Sequence, residues 1–308
     1  MIIDKGYYPG FVRKAITFTI DDGNLKLDKK FIDIVRPAGV FGTFNLSGAD
    51  LVNHTKEEYT TLYEGFGIAN HCKCHPFAYD PAVSYTVSED AFSSDTADAS
   101  MLYKTEREGL YYYRAKTGWR KIADKDTYLS LVDEGLSELE AVFGKGAVKS
   151  YVWPYYEQKD PSILDAICAR GYRSLRKTGE VKDSTSYALP SDRARWSYNS
   201  NHLNLLTEAK KYDEYPDDGE LKFFAFGVHS HDFENSDNWC DLEAFCELYG
   251  NRREDFYYAS VDDIFDYQDA MEALVVTECS VTNPSDIPLY VRLNGEFVII
   301  TPNSTVTV

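Results

Sequence analysis

Residues 14–23 read KAITFTIDDG. Ile16, Phe18 and Ile20 alternate with Ala15, Thr17 and Thr19, the two-residue period of a strand with two faces. The run stops at two acids and a glycine. Leu25, Phe31, Ile34 and Val35 then fall at helical spacing, and Pro37 and Gly39 end that helix. VFGTFNL (40–46) reads as the next strand, 55–64 as a short polar helix and 65–70 as a third strand. Strands alternating with helices predict a parallel sheet covered by helices. In such a sheet Asp21 and Asp22 end the first strand, at the edge where α/β folds carry their active sites. Asp-Asp-Gly is equally good turn chemistry, so the tripeptide alone leaves both readings open.

The rhythm breaks over 77–123, which is polar and rich in Ser, Asp and Tyr. This stretch reads as an insertion on the substrate side, with a hairpin around 111–122 (YYYRAKTGWRKI). Tyr128, Val132, Leu136, Leu139 and Phe143 then mark an amphipathic helix that Gly144 ends. Strand 150–153, helix 161–169 and strand 172–175 resume the alternation, and 177–220 reads as irregular. Strand 222–228 (KFFAFGV), helix 240–249, strand 255–259 and a helix over 261–273 capped by Ser260 follow. After Leu274, short alternating runs divided by Asn-Pro-Ser and Asn-Gly turns predict three or four strands. The expected division is a main unit over 1–273, interrupted at 77–123, and a small all-β appendage over 274–308.

The chain has 308 residues, with 50 Asp plus Glu against 32 Lys plus Arg, a net charge of −18. That balance argues against nucleic acid, whose phosphates need basic partners, and against anionic membrane surfaces. No stretch approaches the roughly 18 apolar residues of a membrane span. The six cysteines are too dispersed for a disulfide framework. With no secretory leader visible, the expected setting is cytoplasmic, although a trimmed secreted chain reads the same way. The 24 tyrosines fit either a sugar-stacking rim or an ordinary core.

Three more clusters fall at predicted strand ends. His71 and His75 flank Cys72-Lys73-Cys74. One helical turn between them brings both imidazoles to one side, where they can share a metal. Solvent-facing histidines, or a Cys-His structural zinc site, are the competing readings. A closed site needs four ligands and no second Cys pair is present, which disfavours the structural one. His229-Ser230-His231-Asp232 ends KFFAFGV, and Trp153-Pro154-Tyr155 ends the strand at 150–153. Each of these fits core or turn as readily as chemistry.

Taken in chain order, ITFTIDDG, NHCKCHP, VWPYYEQ and FGVHSHDF resemble the first, second, third and fifth motifs of the polysaccharide deacetylase family. This is the NodB-homology domain, carbohydrate esterase family four. The resemblance runs from about residue 14 to 270, and the tail NPSDIPLYVRLNGE resembles a bacterial branch with a short β extension. It implies a distorted (β/α) barrel with fewer than eight strands. It also implies that Asp22, His71 and His75 hold a divalent metal, zinc foremost and cobalt, manganese or nickel otherwise. Asp21 is then the general base, His229 the general acid and the Tyr155 backbone N–H an oxyanion donor. Trp153, Pro154, Arg193 and Trp196 are the candidate pocket walls.

Two departures stand out. Cys72 occupies the place where the family has Ser or Thr, so it is either a weaker brace or a soft ligand. Val152 occupies the place of an Arg that pairs with the base, leaving Arg176, Arg193 and Arg195 as substitutes. The activity implied is removal of acetyl groups from N-acetylated sugars or oligosaccharides. An O-acetyl esterase, a C–N amide hydrolase on a small metabolite and a catalytically weak carbohydrate binder are the alternatives. The partners expected are a carbohydrate or small acetylated substrate and a second copy of the chain, with no nucleic acid and no membrane.

Overall fold

The computed structural model describes residues 1–47, 54–155, 158–177 and 186–307. Strand β1 (Lys14–Asp22) leads into α1 (Leu25–Val35), β2 (Gly42–Leu46), α2 (Lys56–Leu62) and β3 (Gly67–Asn70). After the stretch at 77–123 come α3 (Lys125–Phe143), β4 (Val148–Val152), α4 (Pro161–Cys168) and β5 (Ser174–Arg176). The chain continues through α5 (Leu205–Asp213), β6 (Lys222–His229), α6 (Ser230–Asn235), α7 (Trp239–Tyr249), β7 (Phe256–Tyr258) and α8 (Val261–Glu272). Polar caps start several helices where the sequence puts them. The side chains of Asn24, Asp124 and Ser260 accept from the backbone N–H of Leu27, Thr127 and Asp263, and Thr55 and Glu58 form a reciprocal capping box.

The sheet order is β5-β4-β3-β2-β1-β6, every pair parallel. β7 pairs with the start of β1, Phe256 opposite Lys14, on the side where β2 pairs with its end, Phe18 opposite Gly42. Seven strands arranged this way make a curled sheet rather than a closed eight-stranded ring. This is the expected distorted (β/α) barrel with fewer than eight strands. Both faces of β1 are buried from Ala15 to Asp21. Phe18 stacks on Phe226 at 5.1 Å and meets Phe31 and Phe245 edge-on, so α1 and α7 are held against β1 and β6 by aromatic rings. Tyr8, Tyr128, Tyr151 and Tyr212 are fully buried, which makes much of the tyrosine excess core.

Three local differences from the sequence reading have simple causes. α5 lies in the stretch read as irregular, because Leu205, Ala209 and Tyr212 recur at helical spacing among charged residues. Residues 178–185 of that stretch lie outside the described residues. α6 begins directly after His229, where Asp232 accepts from the His229 backbone N–H and so caps the turn. The stretch 77–123 is a five-stranded sheet built on the hairpin Leu110–Ala115 and Gly118–Ala123.

At the C-terminus there are five short strands, between Val275 and Thr307, rather than three or four. The N-terminal strand Ile3–Asp4 pairs antiparallel with Leu289–Leu293, so the two chain ends meet in one sheet. Val281, Leu289 and Val291 pack with Phe265, Ala270 and Met271 of α8. No helix among the described residues is long and apolar enough to cross a membrane.

Beneath the sheet, Asp262 of α8 accepts a hydrogen bond from Ser150 of β4. Burial pushes its carboxyl up to about 6, partly offset by that hydrogen bond. The folded state therefore holds a proton that the unfolded chain has lost, between the ordinary carboxylate range and about pH 6. The resulting stability is present at low pH and is lost as pH rises through that window. Wild type is expected to lose on the order of 1 kcal/mol between about pH 5 and about pH 7.5 relative to Asp262→Asn. Urea unfolding at the two pH values checks this, and parallel curves for the two proteins would contradict it.

Candidate metal centre and active site

Parallel strands in register deliver their ends at one level. Asp21 lies opposite Asn45 of β2 and His229 of β6, Leu46 opposite Asn70, and Val152 opposite Arg176. The chain leaves the sheet on this edge at Asp22, His71, Trp153 and His229. The Asp-Asp-Gly tripeptide serves both of its readings. Asp22 and Gly23 turn in the left-handed region, at φ 77° and 78°. That φ strains any side chain at Gly23, and a Cβ there would also crowd Leu46 Cδ2 at 2.8 Å, so glycine is favoured.

Asp22 Oδ1 lies 3.4 Å from His71 Nε2 and 3.3 Å from His75 Nε2, and the two ring nitrogens are 3.1 Å apart. One donor atom from each of the three falls within 4.8 Å of the others, a spacing that suits one metal ion. The donor chemistry fits as well. Asp22 Oδ1 is buried and, among the described residues, has no hydrogen-bond partner. His71 Nδ1 lies 2.9 Å from the Val152 carbonyl, so Nδ1 carries the proton and Nε2 presents its lone pair. Burial raises the Asp22 carboxyl, but His71, His75 and His229 around it outweigh that and hold it well below the usual carboxylate range. Burial, and then His71 beside it, pushes His75 down to about 4, which keeps it neutral as a ligand must be.

The two histidines do not meet across a helical turn. Residues 71–76 form a compact loop with Cys72, Cys74 and His75 all left-handed, at φ 60°, 66° and 50°. α3 pins this loop. Lys73 N–H donates to the Leu131 carbonyl, and Lys73 Nζ pairs with Glu134 and Glu138. Gly135 permits the close approach, since a Cβ there would meet Asn70 Oδ1 at 2.8 Å. Cys72 points away from the metal donors into a cluster with Tyr128, Leu131 and Tyr151, and burial pushes its thiol far up. Neither cysteine belongs to a metal-donor group among the described residues. The loop brace comes instead from Ser47, whose hydroxyl donates to the Cys72 carbonyl at 2.9 Å.

Asp21 is buried, and both of its oxygens accept from Arg176 Nη2. Asn45 Nδ2 donates to Asp21 Oδ1 at 2.6 Å. Burial raises the Asp21 carboxyl, but the Arg176 guanidinium, with smaller contributions from His71 and His229, brings it below its ordinary value. The arginine missing beside Pro154 is thus supplied by the neighbouring strand. The other two candidates go elsewhere. Arg193 pairs with Asp269 of α8 and lies over Phe265, and Arg195 is exposed.

His229 Nε2 is 3.8 Å from Asp22 Oδ2, and its Nδ1 is 2.8 Å from Asp232 Oδ2. Burial lowers this imidazole, but Asp232, Asp21 and Asp22 raise it further, to about 9. His202 Nδ1 approaches the same Asp232 oxygen at 3.5 Å. The sequence names Asp232 only within its strand-end cluster, without a role, and does not single out Asn45. The signal for Asp232 is its place three residues after His229, one turn into α6. With Asp22 and His229, His231 forms a second donor group within 4.8 Å.

The expected pocket walls divide. Tyr155 stands at the site in the left-handed region, φ 62°, with its ring edge-on to His75 at 4.4 Å and stacked on Phe77 at 4.1 Å. Trp153 and Pro154 are buried, and the Trp153 indole lies against Tyr151 in the core. Trp196 is core too, edge-on to Phe223 and Phe265, and its strand neighbour is Arg176. These residues support the site from behind and do not form its surface, because their rings fill the space beneath the sheet edge. A cleft of about 370 Å³ opens over the donors, lined by Asp22, Ser47, Cys74, His75, Arg120, Lys121 and Tyr155.

No family model matches the sequence, and no curated protein matches it. Solved structures do. A Mycobacterium smegmatis protein assigned as a polysaccharide deacetylase is similar with a TM-score of 0.52 and 15% identity, over 88% of this chain and 96% of that one. A Streptococcus mutans CE4 esterase is similar with a TM-score of 0.46 and 13% identity, over 80% and 86%. A family 4 acetyl xylan esterase from Clostridium thermocellum, in complex with a cobalt ion, has a TM-score of 0.46 and 12% identity, over 83% and 92%. The chain thus has the fold of the polysaccharide deacetylases, with the three candidate donors Asp22, His71 and His75 on the C-terminal edge of the sheet.

Proposed function

We propose that the protein is a metal-dependent hydrolase that removes acetyl groups from N-acetylated sugars or oligosaccharides. One observation carries the reading. Asp22, His71 and His75 converge on one point, between a carboxylate fixed by Arg176 and a histidine held by Asp232. Bound there, a divalent metal supplies Lewis acidity toward an acyl oxygen and makes water acidic. Two imidazoles and one carboxylate suit zinc, and three protein ligands leave room for substrate.

The chain's own groups divide the proton work. Asp21, kept anionic by Arg176, takes a proton from the attacking water. His229, protonated and oriented through its Nδ1–H to Asp232, gives one to the departing amine. The Tyr155 backbone N–H is the donor offered to the developing oxyanion. The acetyl group and the sugar come from the motif resemblance, which the shared fold supports. All six cysteines are free, which supports a reducing, cytoplasmic setting.

Zinc-loaded protein incubated with N-acetylglucosamine oligomers is expected to release acetate, and His71→Ala is expected to release none. Release by neither protein, with turnover of an O-acetyl ester or a ureide-type amide by wild type alone, would move the assignment to that substrate. Binding of the oligomers that survives chelation, without turnover of any of the three, would make the protein a binder.

A further inference from the structure

The cleft over the metal donors has a charge opposite to that of the chain. Asp22 is the one carboxylate among its described lining residues, and it is committed to the metal donors. The hairpin strand Gly118–Ala123 adds Arg120 and Lys121 to the same lining. Arg120 is half-buried. Its guanidinium reaches the carbonyls of Trp119 and Thr117 and the Thr117 hydroxyl, at 3.2, 3.4 and 3.3 Å, and sits 5.8 Å from the Tyr155 ring. Among the described residues neither Arg120 nor Lys121 has a carboxylate partner. Lys73, Arg107 and Lys159, within or beside the same insertion, pair with acids, and Arg114 and Lys116 of the hairpin, which do not among the described residues, lie outside the cleft lining. In a chain of net charge −18, two cations without acidic partners beside a metal centre call for an anion from outside.

We infer that the substrate carries an anionic group, a carboxylate or a phosphate, which Arg120 binds at the mouth of the cleft with Lys121 adding charge. This deepens the deacetylase reading and rests on it. Arg120 suits the task because a planar guanidinium meets either group with two parallel hydrogen bonds. The acidic surface does not forbid such a substrate. Beyond a Debye length of about 8 Å at physiological salt, exposed charges are largely screened. A small anion inside the cleft therefore feels Arg120 and Lys121, whereas a long polyanion lies across the acidic surface. The inference thus selects small acidic acetylated sugars over acidic polymers.

The test compares N-acetylglucosamine, N-acetylglucosamine 6-phosphate and N-acetylmuramic acid as substrates of zinc-loaded protein. Wild type is expected to prefer the better of the two anionic sugars over the neutral one by roughly 10- to 100-fold in kcat/KM. Which of the two it prefers tells carboxylate from phosphate. Arg120→Gln/Lys121→Gln is expected to bring that ratio close to one, mainly through KM, with Arg120→Gln alone giving most of the change. A wild-type ratio at or below one, or a ratio the double variant leaves unchanged, overturns the inference while the deacetylase reading stands. Calorimetric titration of metal-free protein with the two anionic sugars gives a readout free of turnover. Binding that the double variant loses supports the anion site even if no acetate is released, in which case the deacetylase reading fails alone. Binding of neither sugar, or binding indifferent to the two substitutions, overturns it.

Discussion

Arg176→Met is expected to cost about 3–5 kcal/mol of stability, read by urea unfolding, and to lower acetate release about 100-fold or more. The Arg176 and Asp21 side chains are only 1% and 7% exposed. Removing the guanidinium leaves a buried carboxylate with Asn45 as its remaining hydrogen-bond donor among the described residues, and that under-compensated charge accounts for the large effect. The double variant Asp21→Asn/Arg176→Met separates structure from catalysis. With both charges gone, most of the lost stability is expected to return, since buried ion pairs are often replaced by neutral groups at little net cost. Activity is not expected to return, because the base is gone, and it should stay about 10² to 10⁴-fold down. A double variant that regains activity would remove Asp21 from the proton chemistry. An Arg176→Met protein as active as wild type would show that the base needs no cation beside it.

The second large effect is expected at His229. His229→Gln should lower hydrolysis of an N-acetyl sugar about 10² to 10⁴-fold, the usual worth of a positioned general acid. It should lower hydrolysis of p-nitrophenyl acetate only a few-fold, because a nitrophenolate leaves without a proton. Asp232 touches no reacting atom. It positions His229 through the 2.8 Å contact at Nδ1, and its burial beside both His229 and His202 gives that contact weight. Asp232→Asn is expected to show the same amide-over-ester discrimination in weaker form, roughly 10-fold. Equal losses on amide and ester in the His229 variant would make the residue a structural or substrate-binding group.

Why some of this was legible in the sequence, and some not, follows from the range of each signal. KAITFTIDDG announces a strand and its end locally, and so do the Ser260 cap and the run KFFAFGV, which places Asp21, Asp22 and His229 at strand ends. The loop HCKCH brings its two histidines together by a geometry other than the helical turn the spacing suggested. Left-handed φ at Cys72 and Cys74 has no local signature, because non-glycine residues seldom adopt that region. Arg176 could be offered only beside Arg193 and Arg195. Choosing it requires knowing that β5 lies next to β4 with Val152 opposite Arg176, and strand order is a long-range property. The same holds for Arg120 and Lys121, far along the chain from the loop of His71 and His75 and brought over it by the fold of the insertion. Trp153 and Trp196 misled because an aromatic at a strand end reads alike whether its ring faces the cleft or the core.

In the proposed enzyme, Asp22, His71 and His75 together hold one divalent metal. The most direct measurement is bound zinc per chain, by elemental analysis after loading and exhaustive desalting. It applies to wild type, to Asp22→Asn, His71→Ala and His75→Ala, and to the double variant Cys72→Ser/Cys74→Ser, each checked for a cooperative unfolding transition. About one zinc per chain is expected in wild type and in the cysteine variant, with a large loss in each of the other three, as a site of three protein ligands requires. Zinc retained by the folded Asp22 and histidine variants, or lost from the folded cysteine variant, would contradict it.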